Sequence, residues 1–409
     1  MLTYFFKLAL RNFSRFRVQS MISVAGLAIA LASCTIIFIF VSYHFSFDRH
    51  FDHTGEKYRL VTQLNNGPFW ANTFPGYSDA LVNEPEIEQL TFFVSPSNAV
   101  INVGDDMFQV EEFVIADSNF IDFFSVNLLQ GNKLDLKKPN AVFISSMVAK
   151  KYFNNQEVMG KELLLRKFEN HTGDSLGFFT VQGIYSSIPS NSHLGFDMIF
   201  SQPGNFDDFI GHIKSRKIYG GNVYVQLHSQ NQAAALQAKL PETIVPILGG
   251  KHGPGLDAYN TKLQPLKNIH FTDNMNWQLR PGIKRSSLFI LLSVGIVILL
   301  LSVINYTNML TVRMKSQSKD SGIFKIFGGR NKTLLYHLFT ESSTTLLISM
   351  AIAFLILMLF FNYSMFSLPW KTMIIGKNAW LITILIILPF IAITTLISFL
   401  FMHRIKIID

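Results

Sequence analysis

Hydrophobic and polar positions follow different periods in different parts of the chain, and the changes of period divide it. Residues 18–47 carry no formally charged side chain, a run long enough for one membrane helix of about 20 residues with some extension. Comparable apolar runs return only in the last third, at 286–312, 334–361 and 379–402. The pattern predicts an α-helical membrane protein with four transmembrane helices, one followed much later by three. Ahead of the first run, Lys7, Arg11 and Arg15 recur at helical spacing, with Phe5, Phe6, Leu8, Ala9, Phe13 and Phe16 over the remaining surface. Residues 1–17 are therefore expected to form an amphipathic helix at the membrane interface.

Between the first and second runs, residues 48–285 have soluble character and mixed periodicity. Residues 56–63 alternate as a strand, 76–90 hold a short helix around Pro85, and 91–94 read as a second strand. Further on, 222–228 alternate, 232–240 are helical and 260–266 are strand-like. These are two βαβ halves interrupted by an insertion at about 117–203, with its own helix at 146–153 and strands near 141–145 and 178–185. Two such halves close into a split-βαβ, ferredoxin-like layer. The expected fold is thus a membrane protein with a large α+β domain between its first and second helices.

Charge orients this arrangement. The segment 313–333 carries Arg313, Lys315, Lys319, Lys325, Arg330 and Lys332, with Asp320 as the only acid before Glu341. A short basic segment between two apolar runs is cytoplasmic under the positive-inside rule. Gly322 and the Gly328–Gly329 pair divide it into a short helical piece and a sharp stop. The N-terminus and the tail 403–409 fall on the same side. The domain 48–285 and the loop 362–378, with Trp370 and nearby Trp380 at the aromatic belt, fall on the other, periplasmic side. A net charge of +8, a pI near 9.3, 49% hydrophobic residues and a mean hydropathy of +0.28 suit a hybrid of membrane and soluble parts. Because the positive charge flanks apolar runs, it speaks for membrane orientation and lipid contact, not nucleic acid. Cys34 is the single cysteine, so no intrachain disulfide is expected.

Several motifs resemble sites of chemistry. Leu31, Ala32, Ser33 and Cys34 match a lipoprotein cleavage box, but residues 35–41 continue apolar, so the span is read as retained. His44, Asp48, His50, Asp52 and His53 crowd together as metal ligands often do. No spacing fixes a ligand set, and the cluster is read as a helix emerging into water. Ser145, Ser146, His171, Asp174, His193 and Asp197 fall into no hydrolase pattern. Residues 328–333 lack the spacing of a phosphate-binding loop. No catalytic, cofactor or metal residue is assigned, and the chain is not expected to hydrolyse ATP itself. Glu341 lies inside the third run, where an ionisable residue is a functional candidate. One isolated carboxylate makes no proton relay, so a structural or coupling role is expected.

The run Lys319, Asp320, Ser321, Gly322, Ile323, Phe324, Lys325, Ile326, Phe327, Gly328, Gly329, followed by Leu338, Phe339, Thr340, Glu341 and Ser342, resembles the loop after the second span in MacB/FtsX/LolC-type permeases of ABC transporters. Asp320, Ser321 and Phe324 stand where that family has Glu, Ile and Arg. The runs A-L-R-N at 9–12, G-L-A-I-A at 26–30, A-V-F-I-S-S-M-V-A-K-K-Y-F from Ala141, and F-T-V-Q-G-I-Y-S-S-I-P-S-N-S-H from Phe179 resemble other parts of the same family. The resemblance implies that Lys319, Asp320, Gly322, Ile323, Lys325, Gly328 and Gly329 belong to a coupling helix docking on a separate ATPase subunit, which hydrolyses ATP with Mg. It further implies a porter-like split βαβ layer with an inserted sabre-like subdomain, and a homodimer or a heterodimer with a second permease, in a bacterial inner membrane. Export of a peptide, drug or other periplasmic substrate would use a periplasmic adaptor and an outer-membrane channel. Lipoprotein extraction, and FtsX-like control of cell-wall hydrolases without transport, are the alternatives.

Overall fold

The computed structural model describes residues 17–96, 99–104, 106–110, 112–153, 157–167, 175–202, 220–244, 259–316, 331–363 and 396. The chain divides into two compact units, Met1–Phe45 with Arg285–Asp409, and Ser46–Lys284. The first unit begins with α1 (Arg17–Phe45).

The second unit opens with β1 (Lys57–Leu64), β2 (Phe69–Trp70), α2 (Tyr77–Leu81) and β3 (Ile87–Val94). Its middle holds β4 (Ala99–Val103), β5 (Asp106–Val110), β6 (Phe113–Ala116), α3 (Phe120–Phe123), β7 (Leu128–Gly131), β8 (Ala141–Ser145), α4 (Ser146–Phe153), β9 (Glu162–Lys167), β10 (Ser175–Tyr185) and β11 (Met198–Phe200). It closes with β12 (Gly221–Leu227), α5 (Ala233–Ile244) and β13 (Tyr259–Pro265). Helices α6 (Arg285–Ser316) and α7 (Asn331–Tyr363) return to the first unit.

All the described strands join one sheet, in the order β13-β1-β12-β3-β6-β11-β8-β10-β9-β4-β5, with β2 on β1 and β7 on β10. At one end β13, β1, β12 and β3 each run antiparallel to their neighbours. There β12 separates β1 from β3, and β1 separates β12 from β13, so each βαβ unit straddles a strand of the other. The middle strands continue the same sheet through the β3–β6 pairing, Phe93 opposite Ala116 and Val94 opposite Ile115.

Strand alternation sorts side chains onto two faces, and here both faces are covered. Phe92, Phe113, Ile115, Val142, Ile144, Val223 and Val225 share one cluster with Tyr77 and Leu81 of α2, Val148 and Phe153 of α4, and Leu236 and Leu240 of α5. Their neighbours Phe93, Val114, Phe143, Ile199 and Tyr224 share the other with Phe51, Phe120, Phe123, Phe124 and Phe196. A strand buried on both faces needs a continuous apolar run, which explains Ala141–Ser145, buried at every position. The edge strand β13 is closed by a side chain: Gln237 of α5 donates to the Thr261 carbonyl at 3.0 Å and accepts from the Leu263 amide at 2.7 Å.

The helix expected around Pro85 is shorter and earlier, Tyr77–Leu81, and β3 begins at Ile87 rather than 91. Proline lacks an amide hydrogen and disfavours helix at the residue before it. The chain therefore turns at 82–86, and the Ile87 amide closes on Glu84. Strands β2, β4, β5, β6, β7, β9 and β11 lie beyond those expected.

In the first unit, α1, α6 and α7 supply helices long and apolar enough to cross a membrane, over Arg17–Phe45, Arg285–Val312 and Phe339–Asn362, three among the described residues. The expected fourth span, 379–402, lies outside the described residues apart from Leu396, as do residues 1–16 of the expected interfacial helix.

Candidate functional site

The residues expected to dock on an ATPase, Lys319, Asp320, Gly322, Ile323, Lys325, Gly328 and Gly329, lie outside the described residues. The polar groups that the structure does place form two sets, one in each unit.

Within the first unit, α1 lines its buried side with Ser20, Ser23, Leu27, Ala28, Leu31 and Cys34. These positions are three or four apart and face one way on a helix. Small side chains there let helices approach closely in lipid. A Cβ on Gly26 would sit 3.4 Å from Asn305 Nδ2, and the Cys34 thiol donates to the Gly295 carbonyl at 3.2 Å. From α7, Leu346 and Ala353 complete the apolar contact with α1. Glu341 is buried, 8% exposed, on α7. Around it the hydroxyls of Thr344, Thr345 and Ser349 donate to the carbonyls of Thr340, Glu341 and Thr345 at 2.7–3.0 Å. The Tyr306 hydroxyl of α6 reaches Ser342 Oγ at 3.1 Å. Polar side chains bonded to their own helix or to a neighbour fit a low-dielectric surrounding.

Within the second unit, the histidines and aspartates expected near the end of α1 go separate ways. His53 Nδ1 faces Glu56 at 3.3 Å. Asp48, in a left-handed conformation with φ +59°, turns inward. Its Oδ1 accepts from the His193 amide at 2.8 Å and from Ser192 Oγ at 3.1 Å, and lies 2.8 Å from His193 Nδ1. The Asp48 amide donates to the Asn191 carbonyl at 2.9 Å, and Asn191 Nδ2 donates to the Ser46 carbonyl and hydroxyl at 3.1 and 2.9 Å. Segment 46–48 is thus fastened to loop 190–194.

From His193 the contacts run across the sheet. Nε2 lies 3.0 Å from the Tyr224 hydroxyl of β12. Tyr224 stands opposite Arg59 of β1, and Arg59 stands opposite Gln264 of β13. Arg59 Nε and Nη2 donate to Gln264 Oε1 at 3.1 and 2.7 Å. Gln264 Nε2 donates to Thr272 Oγ1 at 2.8 Å, and Thr272 Oγ1 to the Asn268 carbonyl at 2.9 Å. Asp48, Arg59, His193 and Tyr224 are each at most 3% exposed.

Burial would raise Asp48, but the charge of His193 and hydrogen bonds from His193 and Ser192 outweigh it and hold the carboxyl below its usual range. Burial pushes the Tyr224 phenol up to about 12. Beside this row Lys57 donates to the Phe123 carbonyl at 2.5 Å and lies over the Phe123 ring; burial lowers its ammonium.

The last stretch of this unit holds the same loop from another side. Arg280 Nη1 donates to the carbonyls of Ser190 and Ser192, each at 3.2 Å. A Cβ on Gly195 would fall 1.9 Å from Arg280 Nη2, so only glycine admits the guanidinium there. The ring of Phe47 stacks on His270, centroids 3.4 Å apart.

Of the serines, histidines and aspartates without a hydrolase pattern, Ser145 caps α4 through the Val148 amide and donates to Asp197 at 3.0 Å. His193 belongs to the row above, and His171 and Asp174 lie outside the described residues. Arg59, Tyr224 and Gln264 were not expected. Their one signal is Lys57 and Arg59, two apart within the strand-like stretch 56–63.

Two family models match the sequence. The MacB-like periplasmic core domain matches residues 20–243, more than half of the chain, and the FtsX-like permease C-terminal domain matches 292–408. No curated protein matches. Among solved structures, a domain assigned to a permease protein from Porphyromonas gingivalis is similar at 20% identity and TM-score 0.43, covering 55% of this chain and 94% of that one. The periplasmic region of MacB from Actinobacillus actinomycetemcomitans is similar at 15% identity and TM-score 0.36, over 52% of this chain and 90% of that one. The extracellular domain of the noncanonic ABC-type transporter YknZ from Gram-positive bacteria is similar at 17% identity and TM-score 0.35, over 50% and 98%. At such TM-scores these likenesses decide nothing about this chain. The two family models bear out the resemblance carried by the sequence motifs: the chain belongs to the MacB/FtsX-like family of ABC transporter permeases.

Proposed function

We propose that this chain is the transmembrane subunit of a MacB/FtsX-type ABC transporter in a bacterial inner membrane, with both termini cytoplasmic. It converts the closure of separate ATPase subunits into movement of its periplasmic domain, and so exports a peptide, drug or other periplasmic substrate. Lys319, Asp320, Gly322, Ile323, Lys325, Gly328 and Gly329 dock on the ATPase, and a fourth span at 379–402 completes the membrane part. Strands β13, β1, β12 and β3 with α2 and α5 form the porter-like subdomain, and the insertion at about 117–203 the sabre-like one. Glu341 supports the packing of α7 next to the docking segment. The permease works as a homodimer or beside a second permease, with a periplasmic adaptor and an outer-membrane channel as further partners.

The observation that carries this reading is that one chain matches both family models in order, with a folded α+β unit between its first and second apolar helices. Co-purification from native membranes followed by mass spectrometry tests it. An ATPase subunit together with an adaptor and channel is the expected outcome. An unlike permease would turn the reading to lipoprotein extraction, and a cell-wall hydrolase to FtsX-like regulation. Replacing Gly328 and Gly329 by leucine is expected to abolish stimulation of the co-purified ATPase while membrane insertion persists. Unchanged stimulation would remove the docking assignment.

A further inference from the structure

The polypeptide enters the second unit at Ser46 and leaves it at Lys284, and these two ends are tied together by the buried row already described. It starts at Asp48, two residues after the entry, passes by hydrogen bonds through His193 to Tyr224, by strand register to the opposite Arg59, and by hydrogen bonds through Gln264 to Thr272, crossing three neighbouring strands. It holds a buried carboxylate, Asp48, and a buried guanidinium, Arg59, with His193 and Tyr224 between them. Charge-assisted bonds at low dielectric are stiffer than neutral ones, and breaking one strands its partner. Two shorter ties run in parallel, the Phe47–His270 stack and Arg280 on loop 190–195.

We propose that the row Asp48–His193–Tyr224–Arg59–Gln264–Thr272 is a joint that makes the entering and leaving segments move as one body with the central strands β12, β1 and β13. Asp48, His193, Tyr224 and Arg59 are then positioning residues for force transmission. A pull on either segment reaches the middle of the sheet instead of being lost in a loose connection. The purpose of the joint rests on the permease reading above; its existence does not.

The test is hydrogen–deuterium exchange on the full chain in lipid nanodiscs, comparing the wild type with Tyr224→Phe. The substitution removes one hydroxyl from the middle of the row and keeps the ring within its aromatic cluster. Exchange is expected to rise at least about tenfold in both 46–48 and 268–284, with β8 and β10 unchanged. A rise confined to β12 and loop 190–194, or none at all, would overturn the joint. Arg280→Gln breaks a parallel tie, and combined with Tyr224→Phe it is expected to raise exchange at both segments more than the product of the single effects; a plain product would also count against the joint. As a functional readout, Tyr224→Phe is expected to lower stimulation of the co-purified ATPase severalfold without loss of the complex. If no ATPase co-purifies, the permease reading fails while the exchange result still decides the joint.

Discussion

The two units of this protein are stabilised by different means. In the second unit the strands β6, β8, β11 and β12 are buried at every position, and Phe93, Phe120, Phe143 and Tyr224 are nearly inaccessible. Removing that apolar area from water drives its folding. In the first unit Ile290, Leu301, Leu355 and Leu359 point outward and are more than half exposed. For a membrane helix that is the preferred state, since apolar side chains gain little by leaving lipid for each other. The inner side of α1 is therefore small and weakly polar where the sheet is large and aromatic. The lesson is that bulk fixes the second unit, while close approach and a few hydrogen bonds fix the first.

Substitutions that change bulk or hydrogen bonding in each unit sharpen that contrast. Phe143→Ala should have the largest effect, lowering the stability of the second unit by about 3–5 kcal/mol because the hole sits inside a sheet covered on both faces; thermal unfolding of the full chain checks it. Asp48→Asn comes next, with a loss of about 1–3 kcal/mol at neutral pH as charge-assisted bonds are removed. This prediction also has a pH signature. The folded-state pKa of Asp48 is depressed, so its stabilising contribution is present above the unfolded value of about 3.9 and fades as pH falls through the lower folded value. Wild type should lose stability over that acid window, and Asp48→Asn should flatten that part of the profile. Gln237→Ala exposes the amide and carbonyl of β13 that it covers and should cost about 1 kcal/mol and promote association, read by melting and light scattering. The smallest effect is expected in the membrane, where Tyr306→Phe removes the bond to Ser342 at about 0.6 kcal/mol, measured by unfolding in mixed micelles. A loss there as large as that of Phe143→Ala would erase the distinction between the units.

Much of the architecture was readable in advance because it rests on period and length. Long apolar runs announced α1, α6 and α7, and the alternation in 56–63, 222–228 and 260–266 announced β1, β12 and β13. The short strands β6 and β11, four and three residues long, carry too few alternations to show a period. Their strand character comes from pairing with each other in parallel and with β3 and β8. The helix near Pro85 was misplaced because apolar spacing was weighed above the proline that ends it. The motifs of the docking segment were legible as a resemblance, since they are contiguous and need no tertiary partner to be recognised.

The row from Asp48 to Thr272 was of another kind. The amino-acid sequence by itself determined the membrane character, the α+β unit between the first two apolar helices and the family, because hydropathy, alternation and local motifs are properties of neighbouring residues. Only the tertiary structure decided that Asp48 meets His193, 145 positions away, and that Arg59 lies between Tyr224 and Gln264. Such pairings depend on strand order and register, and no local spacing encodes which distant strand will supply the partner of a buried charge.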